Sequence, residues 1–420
     1  MLVPWRSRAE TYLIAPLVIL TVAYGGSAAS RHVTEGYWTA VIAKAGLLLF
    51  IIAPICALAA AWEGARYRRG ELHDYPALRP QWQIVAVAVA PSMLLGVLGV
   101  SLASVMLAPR AVGAPGIPNP WLLLVYLLVV AAHVMVGYTI GRWFLPAIAL
   151  PAALLGSYVW LAYPAGITPA WLRHLNGLSF EACCAIDQMP ATRAMIGTGV
   201  LASGVIITVV VALRSGRVSR LIGAGCLVLS GAVAVGAVWP LGPSAAEPRT
   251  GQQSCAGESP TICLWPEQEG ARQTIDQTLR PAYANLAAAG IALPPTVATQ
   301  DTPATDQLFV PMEAVPRSTD LLWSLIVSIV PNTTPECAVT GPHLGAEALG
   351  PISAWLALTA GMPAAELESA VPPEDIALAN RVRSLPGQQQ LAWYEANRAA
   401  ANDCTARPPL DPATFAGTLG

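Results

Sequence analysis

Residues 221–240 read LIGAGCLVLSGAVAVGAVWP, residues 241–254 read LGPSAAEPRTGQQS, and residues 255–267 read CAGESPTICLWPE. The first of these stretches carries no charge. About 20 apolar residues in a row are enough to span a bilayer as a helix. The second is rich in Gly, Pro, Ser and Gln and reads as a linker. The third brings Cys255 and Cys263 and begins a polar region. This junction divides the chain. Upstream of it, six more apolar stretches of spanning length occur at about 11–29, 38–62, 84–108, 121–140, 144–163 and 192–213. Downstream, no stretch is long enough. The expected fold class is an all-α membrane protein: a bundle of about seven transmembrane helices in residues 1–243, then a small, mainly helical domain in residues 244–420.

Composition separates the same two blocks. The chain is 55% hydrophobic and 11% charged, against about 25% charged in ordinary soluble domains. Residues 1–243 hold fifteen Arg and Lys against seven Asp and Glu, and residues 244–420 hold eight against eighteen. Orientation follows from basic residues in short loops, which stay on the cytoplasmic side. With alternating spans, Arg6, Arg8, Arg66, Arg68, Arg69, Arg79, Arg142, Arg214, Arg217 and Arg220 fall on one side. Arg31, Arg110, Arg173 and Arg193 fall on the other. The N-terminus is therefore expected in the cytoplasm, and seven spans carry the C-terminal domain outside. The first span follows a short basic stretch and reads as an uncleaved anchor. Trp residues at 5, 38, 62, 82, 121, 143 and 239 mark span ends, as an aromatic belt would.

Cysteine usage agrees with this orientation. Cys183, Cys184, Cys255, Cys263, Cys337 and Cys404 all fall in segments assigned to the outside, where disulfides persist. The four tail cysteines allow three pairings. Cys255 with Cys263 would close a small loop, and Cys337 with Cys404 a long one. Adjacent Cys183 and Cys184 are not expected to bridge each other. Close paired spacing of the zinc-site kind is absent, so no metal is expected. Twenty-two Arg against one Lys, with abundant Ala, Gly and Pro, points to a GC-rich bacterial genome.

In the tail, helical spacing covers about 268–289 and ends at Gly290. Residues 291–318 are rich in Pro and Thr and read as irregular. An apolar run at 319–330 is too short to span and reads as a buried helix. Residues 343–360 and 374–402 read as two more helices.

Few residues point to chemistry. Lys44 sits about six residues into the second span. An ionisable group there is either functional or snorkels to the interface. His133 lies in the middle of the fourth span and either lines a polar path or bonds a neighbouring helix. No Asp or Glu is expected at depth, which weighs against ion-coupled transport. His343 and Glu347 lie four apart, but the His-Glu-x-x-His pattern of zinc proteases is missing. No Gly-x-Ser-x-Gly elbow occurs, so no enzyme activity and no cofactor are expected. Asn332-Thr333-Thr334 fits a glycosylation acceptor, a weak signal in a bacterial chain. The sole lysine lies in a span, so the chain is not itself a P-loop ATPase.

Ala61-Trp62-Glu63-Gly64-Ala65-Arg66 ends the second span and Cys263-Leu264-Trp265-Pro266-Glu267 opens the tail. On these residues the chain resembles actinobacterial integral-membrane proteins described as ABC permeases with an extracytoplasmic C-terminal domain of unknown function. Its membrane block is similar to permease subunits of type-2 ABC exporters. That class typically has six spans and both termini inside, so the seventh span and the outside tail are departures. The resemblance implies a permease-like subunit of a plasma-membrane export complex, driven by a separate P-loop ATPase chain. It also implies a docking loop for that ATPase at residues 63–81, with Glu63, Arg66, Arg68, Arg69 and Arg79. The cargo would be a lipid, peptide or natural product. Expected partners are the bilayer, the ATPase, and a second copy or a second permease subunit, with no nucleic acid. The alternative is a membrane-anchored binding or assembly protein whose spans only hold the surface domain.

Overall fold

A computed structural model describes residues 8–29, 33–69, 81–213, 216–300, 306–330, 335, 338 and 341–416. The chain forms two compact units, Met1–Arg249 and Thr250–Gly420. Among the described residues, seven helices are long and apolar enough to cross a membrane: Ala9–Ser27, Trp38–Arg69, Trp82–Ala111, Pro120–Trp143, Pro146–Gly166, Thr192–Ala212 and Arg217–Val238. They mark a multi-pass membrane protein.

The α-helices of the first unit are α1 (Ala9–Tyr24), α2 (Trp38–Ala45), α3 (Leu49–Arg69), α4 (Gln81–Leu107), α5 (Pro120–Trp143), α6 (Pro146–Ala162), α7 (Thr192–Ala212) and α8 (Arg217–Val238). Local chemistry sets several of their ends. Asn119 caps α5 by accepting from the Trp121 and Leu122 amides, and Pro120 supplies a ready-made first turn. Pro146 opens α6 and Pro164 lies just past its end, so two of the prolines that punctuate this span bound its helix. The second span is broken. Between α2 and α3 the chain tightens into a 3₁₀ turn at Gly46–Leu48. The Tyr126 hydroxyl donates to the Ala43 carbonyl there at 3.1 Å. Any side chain at position 46 would strike that phenol.

Helix α3 is the hub and packs on α1, α4, α5 and α6. In lipid no hydrophobic force pulls helices together, so close backbone approach through small residues must do it. Gly137 and Gly141 of α5 press on the carbonyls of Ala57 and Ala61, and Gly64 of α3 lies against the Tyr138 carbonyl. Helices α7 and α8 pair in the same manner, with Gly197 against Val238 and Gly204 against Ser230. Leu94, Val105, Leu155, Val228 and Leu229 face outward, as lipid-facing positions do.

A cap joins the ends of α6 and α7. It consists of 3₁₀ turns at Tyr163–Gly166, Ala170–Leu175 and Leu178–Ala182 and a strand β1 (Gln188–Pro190). Strand β1 pairs antiparallel with β2 (Ala246–Pro248). Part of the stretch read as linker thus belongs to the membrane unit. Its lack of apolar periodicity hid a short strand that relies on backbone bonding.

The second unit has its own core. Strands β3 (Ser254–Ala256), β4 (Thr261–Leu264), β5 (Thr296–Ala298) and β6 (Gln307–Phe309) form a sheet in that order, antiparallel first and then parallel. Around it lie α9 (Arg272–Ala288), α10 (Ser318–Ile329), α11 (Leu349–Ala360), α12 (Pro373–Arg383) and α13 (Gly387–Ala401). The unit is mostly helical, but the all-α expectation omitted this sheet. The irregular reading of 291–318 also fails at β5 and β6, because three-residue strands are too short to show alternation. The expected helix 374–402 is two helices. Pro386 cannot donate within a helix and disfavours helical geometry in Leu385 before it. Ile352, Trp355, Trp393 and Leu356 are completely buried. Trp355 stacks on Tyr394 at 5.3 Å between ring centroids, a pairing typically worth about 0.5–1.5 kcal/mol beyond burial.

Candidate functional site

Lys44 closes α2 and faces the cap. Its Nζ lies 2.8 Å from Glu181 Oε2, with side-chain exposures of 15% and 31%. The lysine is therefore paired and does not simply snorkel. Its partner could not be chosen from sequence, because 137 residues separate the two. The cap is tied down at further points. Thr34 Oγ1 donates to the Cys184 carbonyl at 2.9 Å. Tyr37 donates its hydroxyl to the Gln188 carbonyl at 2.8 Å, and the Arg249 guanidinium lies 4.8 Å from the Tyr37 ring centroid.

Cys183 and Cys184 form a disulfide, against expectation. The peptide between them is cis. Both are buried.

His174 is completely buried in the cap. Its Nε2 donates to the Gly242 carbonyl at 2.8 Å, and Nδ1 lies 3.2 Å from the Ser179 hydroxyl. A carbonyl only accepts, so Nε2 carries the hydrogen and Nδ1 accepts from Ser179. Burial, with the nearby Arg173 charge, pulls its pKa below the ordinary 6.5 despite the Gly242 bond.

Beneath the cap, a chamber of about 290 Å³ opens between α5, α6 and α7. Its walls include Val129, Val136, Trp160 and Leu201, and its polar lining comes from His133, Ser157 and Asn176. Asn176 is occupied: its amide donates to the Trp160 and Leu161 carbonyls and its oxygen accepts from the Leu178 amide. It thereby finishes the end of α6. Among the described residues His133 makes no bond to a neighbouring helix, the second option of the sequence reading. Its Nδ1 bonds the Val129 carbonyl of its own helix at 2.8 Å. A larger groove of about 880 Å³ between α5, α7 and α8 is lined mostly by apolar residues, with Thr192, Ser203, Cys226 and Ser230.

At the other end of the bundle the expected docking loop is partly helix. Helix α3 runs to Arg69, and Gly64 within it is a packing contact against α5. Glu63 is buried and pairs with Arg66 at 2.9 Å. Arg68 donates to the Trp143 carbonyl at 3.2 Å, and Arg69 lies over the Trp62 ring. Arg79 lies outside the described residues, as do Asn332, Thr333 and Thr334. Glu10 was missed altogether. It sits one residue ahead of the first expected span, yet it is buried and accepts from Ser92 Oγ at 2.7 Å. Glu10 and Glu63 each lie one residue beyond an expected span, and both are buried at its end rather than at depth.

In the second unit, Cys255 and Cys263 form the expected disulfide across paired positions of β3 and β4. Cys404 is also disulfide-bonded, and Cys337 lies outside the described residues. The Cys263–Glu267 stretch is structural. Trp265 is buried, and its amide donates to Gln268 Oε1. His343 donates to the Ala401 carbonyl at 2.9 Å, and Glu347 is exposed. Among the described residues no group of three His, Cys, Asp or Glu is placed to hold a metal.

Residues 262–404 match the model of a domain of unknown function, DUF7224. No curated protein matches the chain, and no solved structure does.

Proposed function

We propose that this chain is the permease-like, membrane-spanning subunit of an ABC-type export complex in the plasma membrane, driven by a separate P-loop ATPase chain. In this reading the N-terminus is cytoplasmic and the C-terminal domain is outside. The chamber between α5, α6 and α7 carries the proposal. Helices that serve only as an anchor gain from filling their interior, because an unfilled space forfeits packing contacts. Here a recess, open on the side of Val136, Gly156 and Trp160, is kept between the helices, and polar side chains reach into it. Its walls favour an apolar cargo such as a lipid or natural product over a charged peptide. The end of α3 is the natural cytoplasmic docking element, with Arg69 its most exposed charge. Arg66 is committed to Glu63.

The test is purification of the intact protein from its own host in mild detergent. An ATPase subunit should accompany it, and Arg69→Glu should weaken that association while leaving the protein folded. Like charge at an interface is costly. Absence of any ATPase would favour the anchored binding or assembly protein. That second reading draws on one observation: the second unit has its own core and matches a domain model by itself.

A further inference from the structure

We infer that the chamber between α5, α6 and α7 binds a neutral, single-chain aliphatic or isoprenoid alcohol through His133 and Ser157. This rests on reading that chamber as the cargo site, and it names the cargo's chemistry. The His133 tautomer is fixed by its partner. The Val129 carbonyl can only accept, so Nδ1 carries the hydrogen and the neutral ring presents the Nε2 lone pair as an acceptor. No bond to Nε2 is made among the described residues. Ser157 is likewise without a hydrogen-bond partner among them, and its hydroxyl both donates and accepts. Both residues are more than nine-tenths buried, and both line the chamber.

A buried acceptor left unpaired is costly, so the ligand must bring a donor. The rest of the lining is apolar apart from Asn176, whose groups are taken, and it contains no charged side chain. A carboxylate, phosphate or ammonium would therefore find no counter-charge, which excludes ionic amphiphiles. The volume of about 290 Å³ lies at the lower end of the ~300–1,000 Å³ usual for small-molecule sites. It suits one slender chain, whose far end can leave through the open side. A neutral molecule with an apolar body and one hydroxyl satisfies each condition: its O–H donates to Nε2 and its oxygen accepts from Ser157.

The probe is farnesol, tested on the full-length protein in nanodiscs with a diazirine-bearing farnesol photolabel. Labelling should map to peptides spanning Val129–Val136, Gly156–Trp160 and Leu201–Val205. Free farnesol should displace the label about tenfold better than farnesyl methyl ether, which has no donor. His133→Leu should weaken labelling by a similar factor. Gly156→Leu should abolish it, since a side chain there meets no neighbour within 4 Å and grows into the chamber. Equal displacement by the ether, labels spread evenly over the lipid-facing helices, or full labelling of a folded Gly156→Leu protein would each overturn the inference. The alcohol–ether comparison needs no variant, so it decides even where a substitution prevents folding. Binding is measured without the ATPase. Loss of the alcohol site with an ATPase still bound refutes this inference alone, while alcohol binding with no ATPase partner refutes only the export reading.

Discussion

His174 shows at the scale of one residue how burial converts an ordinary group into a pH-sensitive one. It is held neutral between the Gly242 carbonyl and the Ser179 hydroxyl, and its pKa lies below the ordinary 6.5. Protonation would place a hydrogen on Nδ1, where Ser179 now donates. A histidine with a depressed folded pKa contributes stability that is present above its unfolded value and is lost as pH falls from about 6.5 toward the folded value. The protection of residues 170–182 against hydrogen exchange, corrected for the intrinsic exchange rate at each pH, should therefore fall as pH drops below about 6.5. His174→Gln keeps a donor for Gly242 and an acceptor for Ser179 without a titratable ring, so it should flatten that response. An equal response in the variant would assign the effect to other groups. The residues that matter in this unit were only half legible. Lys44 and His133 stood out because ionisable groups are rare in spans. Their partners, Glu181 and Val129, did not, since one is distant in sequence and the other is plain backbone. His174 and Glu10 gave no signal, because nothing in sequence distinguishes a buried loop histidine or an interfacial acid from an exposed one.

At the scale of elements, the seven spans were readable because length and apolarity alone define them, and their ends moved by a few residues except at α3, which runs seven residues past the expected end to Arg69. How they meet was not readable. The α3–α5 contact depends on Gly137, Gly141 and Gly64 meeting backbone carbonyls, and the spacing of small residues by itself does not say which helix they face. Gly141→Leu should destabilise the folded protein strongly, by at least the ~1–3 kcal/mol usual for overpacking. The added carbon would strike the Ala61 carbonyl, and a backbone cannot rotate away. Gly199→Ala, where a new Cβ meets nothing within 4 Å, should be neutral or slightly favourable in its helix. Thermal unfolding followed by fluorescence-detected gel filtration compares the two, and an equal midpoint for both variants would contradict the packing scheme. In the second unit the helices were legible from their periodicity. The strands were missed because three residues carry no period, and the α12–α13 break was overridden by an amphipathic pattern that continues across Pro386.

For the whole molecule, the division into an apolar unit and a polar, cysteine-bearing unit was visible in the sequence, since charge and hydropathy change together near residue 244. The sidedness of the chain is the claim on which the proposed function depends. In the proposed reading, an odd number of spans and the clustering of Arg in alternate loops would put the second unit outside the cell and the end of α3 inside. Cysteine accessibility tests this most directly. In a parent with Cys56 and Cys226, the free thiols among the described residues, changed to Ser, a reporter is placed at Gln252→Cys or at Val218→Cys. Both positions are exposed. A membrane-impermeant maleimide on intact cells should label the Gln252→Cys protein above the parent background. It should label the Val218→Cys protein only after permeabilisation. Labelling of Val218→Cys in intact cells, with Gln252→Cys protected, would reverse the topology and remove the export proposal with it.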